Sequence, residues 1–183
     1  PYLYTPGNSN GWNQSNSQRL ATSDFSNYYG YVYLDGEFKF TNAPDWDHIN
    51  LGSTGEDGKL STDGGAGNLN APAGLYYATV DMLSLTYTLT PITTIGVIGS
   101  ATANGWDAST PLQMADGKGL IWEGNINFTP GEWKLRANDG WDINLGGSML
   151  DLIPGGDNLQ SDWNGTKKVT LYLDTLPYMV EVQ

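Results

Sequence analysis

At 183 residues, 39% of them hydrophobic, the chain has enough apolar surface to fold as one large or two small domains. Its 20 acidic residues against 8 basic ones leave a net charge of −12, which repels a nucleic-acid backbone or an anionic membrane surface and favours a neutral ligand. Without cysteine there are no disulfides or thiolate metal sites, and no stretch approaches the roughly 20 apolar residues of a membrane span. Pro1 opens the chain without a charged segment and an apolar run, as expected of a mature or truncated chain whose export signal or lipid anchor lay upstream.

The 24 glycines and 9 prolines cluster between short runs of Val, Ile, Thr, Tyr and Leu, a composition that predicts an all-β fold with many turns. Pro1 to Tyr4 reads as a short strand, followed by Asn10-Gly11-Trp12 and a polar stretch. Tyr28 to Leu34 alternates as a strand, Asp35-Gly36 predicts a tight hairpin turn, and Glu37 to Thr41 is the expected return strand. That hairpin sets Lys39 and Thr41 opposite Phe38 and Phe40. A loop carrying Trp46 follows, then a long loop from Gly52 to Asn70 without periodicity. Ala73-Gly74 turns the chain into Leu75 to Asp81, which pairs with Leu85 to Leu89.

From Ile95 the order of events repeats. Asn104-Gly105-Trp106 lies 94 positions after its counterpart, Ile121 to Ile126 is a strand, and Pro130-Gly131 makes the turn before Glu132 to Arg136. Phe38-Lys39-Phe40-Thr41 is matched by Trp133-Lys134-Leu135-Arg136. Trp46-Asp47-His48-Ile49-Asn50-Leu51-Gly52 is matched by Trp141-Asp142-Ile143-Asn144-Leu145-Gly146, with His48 as the one extra residue. Gly155-Gly156-Asp157-Asn158-Leu159 echoes Gly64 to Leu69, and Lys168 to Asp174 with Tyr178 to Val182 closes the second copy. So long a period excludes a solenoid, whose repeats run about 20 to 50 residues. It predicts two tandem β-sandwich modules, 1–91 and 92–183, joined by a connector short enough to hold them in a defined orientation.

Catalytic signals are sparse. His48 is the single histidine, in an inserted loop position, and no nucleophile elbow is present. The acidic loops Asp45-Trp46-Asp47, Glu56-Asp57 and Asp139 to Asp142 lack the spacing of a calcium loop and read as solvated carboxylates. No metal site, cofactor or catalytic residue is expected. Tryptophan is more informative. Trp122 and Trp133 fall in strand patterns and read as core, whereas Trp12, Trp46, Trp106 and Trp141 sit among Gly, Asn and Asp, each with a counterpart in the other copy. Trp12 and Trp106, close behind a first strand, also suit plugs for the ends of a sandwich. An exposed aromatic face packs against the CH face of a sugar, while Lys39, Lys134 and Arg136 can donate to hydroxyls and Asn50 and Asn144 add amides.

The order Asn-Gly-Trp, Glu-Phe-Lys-Phe or Glu-Trp-Lys-Leu-Arg, Trp-Asp-(x)-Ile-Asn-Leu-Gly and Gly-Gly-x-Asn-Leu resembles the tandem carbohydrate-binding modules of the SusE/SusF type, surface lipoproteins of starch-utilisation systems. The resemblance spans both modules and implies non-catalytic β-sandwiches, each with one shallow site for an α-glucan. It points to Trp12, Lys39 and Trp46 in module one, and to Trp106, Lys134, Arg136 and Trp141 in module two. Module one departs from the pattern at Thr41 and at His48. The resemblance further implies an outer-membrane, cell-surface location through an upstream lipid anchor and partnership with a glycan-uptake complex; charge and hydropathy add the expectation of no nucleic acid and no membrane insertion by this segment. The readings that compete with it are another glycan and an adhesive module whose aromatics meet a protein.

Overall fold

The computed structural model describes all residues from Pro1 to Gln183. The fold is all-β: apart from two single-turn 3-10 segments, Asn8–Asn10 and Gln14–Asn16, every regular element is a strand. The chain divides into two compact units, Pro1–Pro91 and Ile92–Gln183. No helix is long and apolar enough to cross a membrane.

The first unit contains β1 (Tyr2–Tyr4), β2 (Arg19–Thr22), β3 (Asn27–Phe38), β4 (Phe40–Thr41), β5 (Asn50–Ser53), β6 (Leu60–Ser61), β7 (Leu69–Asp81) and β8 (Thr86–Pro91). They form one antiparallel path, β6-β5-β4-β1-β2-β3-β7-β8. Alternation supplies the inward face: Val32 and Leu34 on β3, Ala78 and Val80 on β7, Leu3, Leu20, Phe40 and Leu51 on the other strands meet in a single buried cluster. The path folds over until its outer strands touch, with Leu60 N–H donating to the Leu85 carbonyl (2.8 Å) and Tyr87 N–H to that of Gly58 (2.9 Å).

The second unit contains β9 (Ile95–Ile98), β10 (Thr110–Pro111), β11 (Gln113–Met114), β12 (Ile121–Phe128), β13 (Gly131–Ala137), β14 (Asn144–Ser148), β15 (Asp151–Pro154), β16 (Leu159–Ser161), β17 (Gly165–Tyr172) and β18 (Met179–Val182). One sheet runs β10-β9-β13-β14-β15, with β16 also on β13; the other runs β11-β12-β17-β18. Phe128 packs edge to face on both Trp133 and Trp163 (centroids 5.4 Å), and the two indoles are tilted against each other at 6.3 Å. Here too the outer strands meet, Leu152 N–H donating to the Tyr178 carbonyl at 2.8 Å.

The register corrects three readings of the sequence. Asp35-Gly36 is no hairpin turn. β3 passes through it and stays antiparallel to β7 from Asn27↔Asp81 to Phe38↔Leu69, with a bulge between Leu34 and Gly36. The left-handed φ of Gly36, +90°, serves that bulge, which bends the strand from one layer into the other. β4 consequently lies between β1 and β5, and Ala73-Gly74 lies inside β7. In module two Pro130-Gly131 marks the same corner, since β12 and β13 do not pair with each other. Second, the polar stretch before Tyr28 contains β2, which pairs with β1 through Leu3↔Leu20. Third, the long loop is interrupted by β6, whose Leu60 is buried. Both are too short to show a period of two.

Candidate functional site

In each module the segment after the central Lys strand forms a loop pinched by a backbone bond at its base. Asn42 N–H donates to Ile49 O (3.1 Å) in module one and Ala137 N–H to Ile143 O (2.9 Å) in module two. Within the first loop Asp45 Oδ1 accepts from the N–H groups of Asp47 (3.0 Å) and His48 (3.3 Å), an Asx turn that accommodates the extra residue. The second loop, one residue shorter, turns through left-handed Asn138 (φ +55°) and Asp139 (φ +51°). Trp46 and Trp141 project from these loops, 44% and 46% exposed.

Each meets a second tryptophan from the Asn-Gly-Trp turn. Trp12 and Trp46 have centroids 6.2 Å apart with planes tilted 39°; Trp106 and Trp141 are 6.0 Å apart and tilted 40°. Two segments some thirty residues apart in sequence thus produce the same tilted indole pair in both modules. Trp12 reaches its place with φ +61°, a costly conformation for a bulky side chain, held by its N–H on the Gly7 carbonyl (2.9 Å) and its Nε1–H on Asn8 Oδ1 (3.1 Å). Trp12 is half-buried and Trp106 is 40% exposed, so neither is an internal plug.

The basic residues are engaged differently from the sequence expectation. Lys39 Nζ donates to Ala66 O (2.8 Å) and Lys134 Nζ to Gly156 O (2.5 Å), tying the Lys strand to the Gly-rich loop in each module. An ammonium carries three N–H donors, so this tie leaves donor capacity toward a ligand. Desolvation lowers the pKa of Lys134 from the ordinary lysine value, with Asp157 opposing. Arg136 is only 9% exposed; its Nε–H donates to Ser109 Oγ (2.6 Å) and its guanidinium lies 5.0 Å from the Trp141 ring centroid. It braces the indole from the protein side instead of projecting to solvent. Thr41, its counterpart, is fully buried with its hydroxyl on Ala43 O (2.8 Å), so Trp46 has no cation of this kind beneath it.

Asn50 and Asn144 complete the correspondence. Their amide groups donate to the carbonyls of Trp46 (3.1 Å) and Trp141 (2.8 Å), fixing both loops. In both modules the Oδ1 of that asparagine is buried without a hydrogen-bond partner. Trp122 (3% exposed) and Trp133 (0%) are core, as their strand pattern predicts. Neither Ser109, the hydroxyl that holds Arg136, nor Asn8, which holds the Trp12 indole, carries a signal in the sequence, because neither belongs to a repeated motif. No cluster of His, Asp and Glu that could hold a metal ion is present.

Fold and site together define an all-β module bearing a tilted pair of indoles on polar loops, present twice. No protein-family model and no curated protein matches the sequence. Among solved structures the chain is similar to SusF from Bacteroides thetaiotaomicron, with a TM-score of 0.63 and 17% identity over 98% of this chain and 47% of SusF. The chain thus spans about half the length of that protein, and at this identity the likeness is one of fold.

Proposed function

We propose that the chain binds polysaccharide without catalysis, each module offering its indole pair as a platform for starch or a related α-glucan. The observation that carries this reading is the pair of matched platforms, Trp12 with Trp46 and Trp106 with Trp141, tilted 39° and 40°. A flat glycan asks for coplanar aromatics, whereas a ligand that curves presents successive sugar faces at an angle. The buried Asn50 and Asn144 oxygens support it, since an unpaired buried acceptor costs about 1–3 kcal/mol and a polyol brings donors within reach after a small side-chain adjustment. Likeness of fold to SusF agrees with the resemblance read in the sequence motifs. In this reading the ligand sites comprise Trp12, Lys39, Trp46 and Asn50, and Trp106, Lys134, Trp141 and Asn144, with Arg136 acting through Trp141. The protein holds glycan at the outer-membrane surface for an uptake complex.

Affinity electrophoresis of the intact chain in a starch gel tests the reading. Retardation that soluble maltooligosaccharide relieves is the expected outcome; migration unchanged by starch removes the α-glucan claim, and retardation indifferent to competition points to contacts of another kind.

A further inference from the structure

Around Asn50 module one departs from its twin at one place. His48 is its extra residue, Thr41 replaces Arg136, and a groove of about 450 Å³ opens between Asn42, Asp47, His48 and Asn50 on one side and Thr62 of the long loop on the other. That volume is in the range of small-ligand sites. Asn50 also donates to the Trp46 carbonyl, so the groove adjoins the segment that carries the indole pair.

The groove holds one oriented titratable donor. His48 Nδ1 lies 2.7 Å from Asp45 Oδ1, the oxygen that also accepts from the Asp47 and His48 N–H groups. With Nδ1–H donated to that carboxylate, the remaining Nε2 is free to serve a ligand, on a side chain 63% exposed. We propose that the groove is an additional glucan subsite peculiar to module one, in which His48, oriented by Asp45, hydrogen-bonds a sugar hydroxyl through Nε2. The proposal rests on the glycan-binding reading of the Trp12–Trp46 platform.

The charged groups that act on the imidazole are Asp45 and Asp47 on its own loop; across the groove Thr62 and Gly64 line the wall, and the carboxylate of Asp63 between them accepts from Gly65 N–H (2.9 Å). The hydrogen bond and charge of Asp45, with Asp47 adding, raise the His48 pKa above the ordinary histidine value. Below that pKa Nε2–H is a charged donor, and above it Nε2 is a neutral acceptor. Charge-assisted hydrogen bonds are roughly twice as strong as neutral ones. Module one therefore binds more tightly as pH falls through the His48 pKa, and by linkage a bound glucan raises that pKa.

His48 is the chain's single histidine, so its imidazole resonances are read by NMR without assignment. In the full chain carrying Trp141→Ala to silence module two, maltoheptaose is expected to bind about three- to fivefold more tightly at pH 5.5 than at pH 8.5, and to raise the His48 pKa correspondingly. His48→Gln should still bind but lose the pH dependence. If maltoheptaose binds while the His48 pKa stays put and His48→Gln behaves as the parent, the subsite is overturned and the indole platform stands. Binding by the unaltered chain but not by the Trp141→Ala chain overturns the subsite by removing module one as a binder. No binding by the unaltered chain overturns the glucan reading and the subsite with it.

Discussion

Seven tryptophans do three different jobs here, and local backbone decides which. Trp122 and Trp133 sit at inward strand positions, Trp163 caps an aromatic cluster, and the other four stand on polar turns, where Asn8 holds the Trp12 indole N–H and Asn50 and Asn144 hold the Trp46 and Trp141 carbonyls. This separation makes single substitutions diagnostic. Trp141→Ala is expected to cost about 1–2 kcal/mol through its lost contacts with Trp106 and Arg136 and to keep a cooperative thermal transition, while abolishing measurable maltoheptaose binding at module two. Trp133→Ala removes a fully buried indole and is expected to cost about 3–5 kcal/mol, read as loss of a cooperative thermal transition by circular dichroism. Arg136→Ala falls between them: it frees Trp141 from its brace, so binding should weaken severalfold, and indole fluorescence anisotropy should report a more mobile ring. An unchanged anisotropy would mean that the cation beneath the ring does not fix it.

At the scale of elements, the repeated motifs prove to be partners of one another. The Gly at the end of Ile-Asn-Leu-Gly lies against the Gly-rich loop: a Cβ on Gly146 would come within 2.3 Å of Asp157 O and 2.5 Å of Gly156 O, and one on Gly52 within 2.5 Å of Gly67 O. This approach lets Gly147 N–H reach Asp157 O (2.7 Å) and Ser53 N–H reach Gly67 O (2.9 Å), and it presents the carbonyls that Lys134 and Lys39 bind. Gly146→Ala should therefore cost about 1–3 kcal/mol and lower the melting temperature by several degrees, because backbone and no flexible side chain must move. A variant that melts with the parent would show that the loop yields freely. The duplication and the inward faces of Tyr28 to Leu34 and Ile121 to Ile126 were legible in the sequence, because long alternating runs carry a period. The corner at Asp35-Gly36 was not: a Gly after Asp marks a positive φ but leaves open whether the chain reverses or bends onward, and the partner strand β7, where Ala71 pairs with Gly36, decides that from far along the chain. The four loop tryptophans were legible as unusual, their pairing was not, and the burial of Arg136 depends on Ser109, which no periodicity announces.

For the whole molecule, charge and duplication set what can be tested. In the proposed function a chain of net charge −12 holds a neutral glycan by indoles and amides without ion pairs to its ligand, so retention on starch should be the same at about 50 mM and about 500 mM salt. A steep fall with salt would instead indicate a charged ligand. Two platforms on one chain also predict different responses to long and short ligands. Trp46→Ala or Trp141→Ala alone should weaken retention on polymeric starch by well over half, since the polymer loses its second foothold, whereas titration with maltotriose should only lose one equivalent.

Duplication carries a hazard of its own, and the touching outer strands answer it. Two copies with matching strand orders, emerging one after the other from the ribosome, offer each half-formed copy a ready substitute for its own missing strand. The bonds from Leu60 to Leu85 and from Leu152 to Tyr178 join the β6 or β15 edge of each copy to its last hairpin and engage backbone donors along that border. Completion of one copy is thereby also its withdrawal from exchange with the other, so the chain can carry similar neighbours in series without each becoming a template for misassembly.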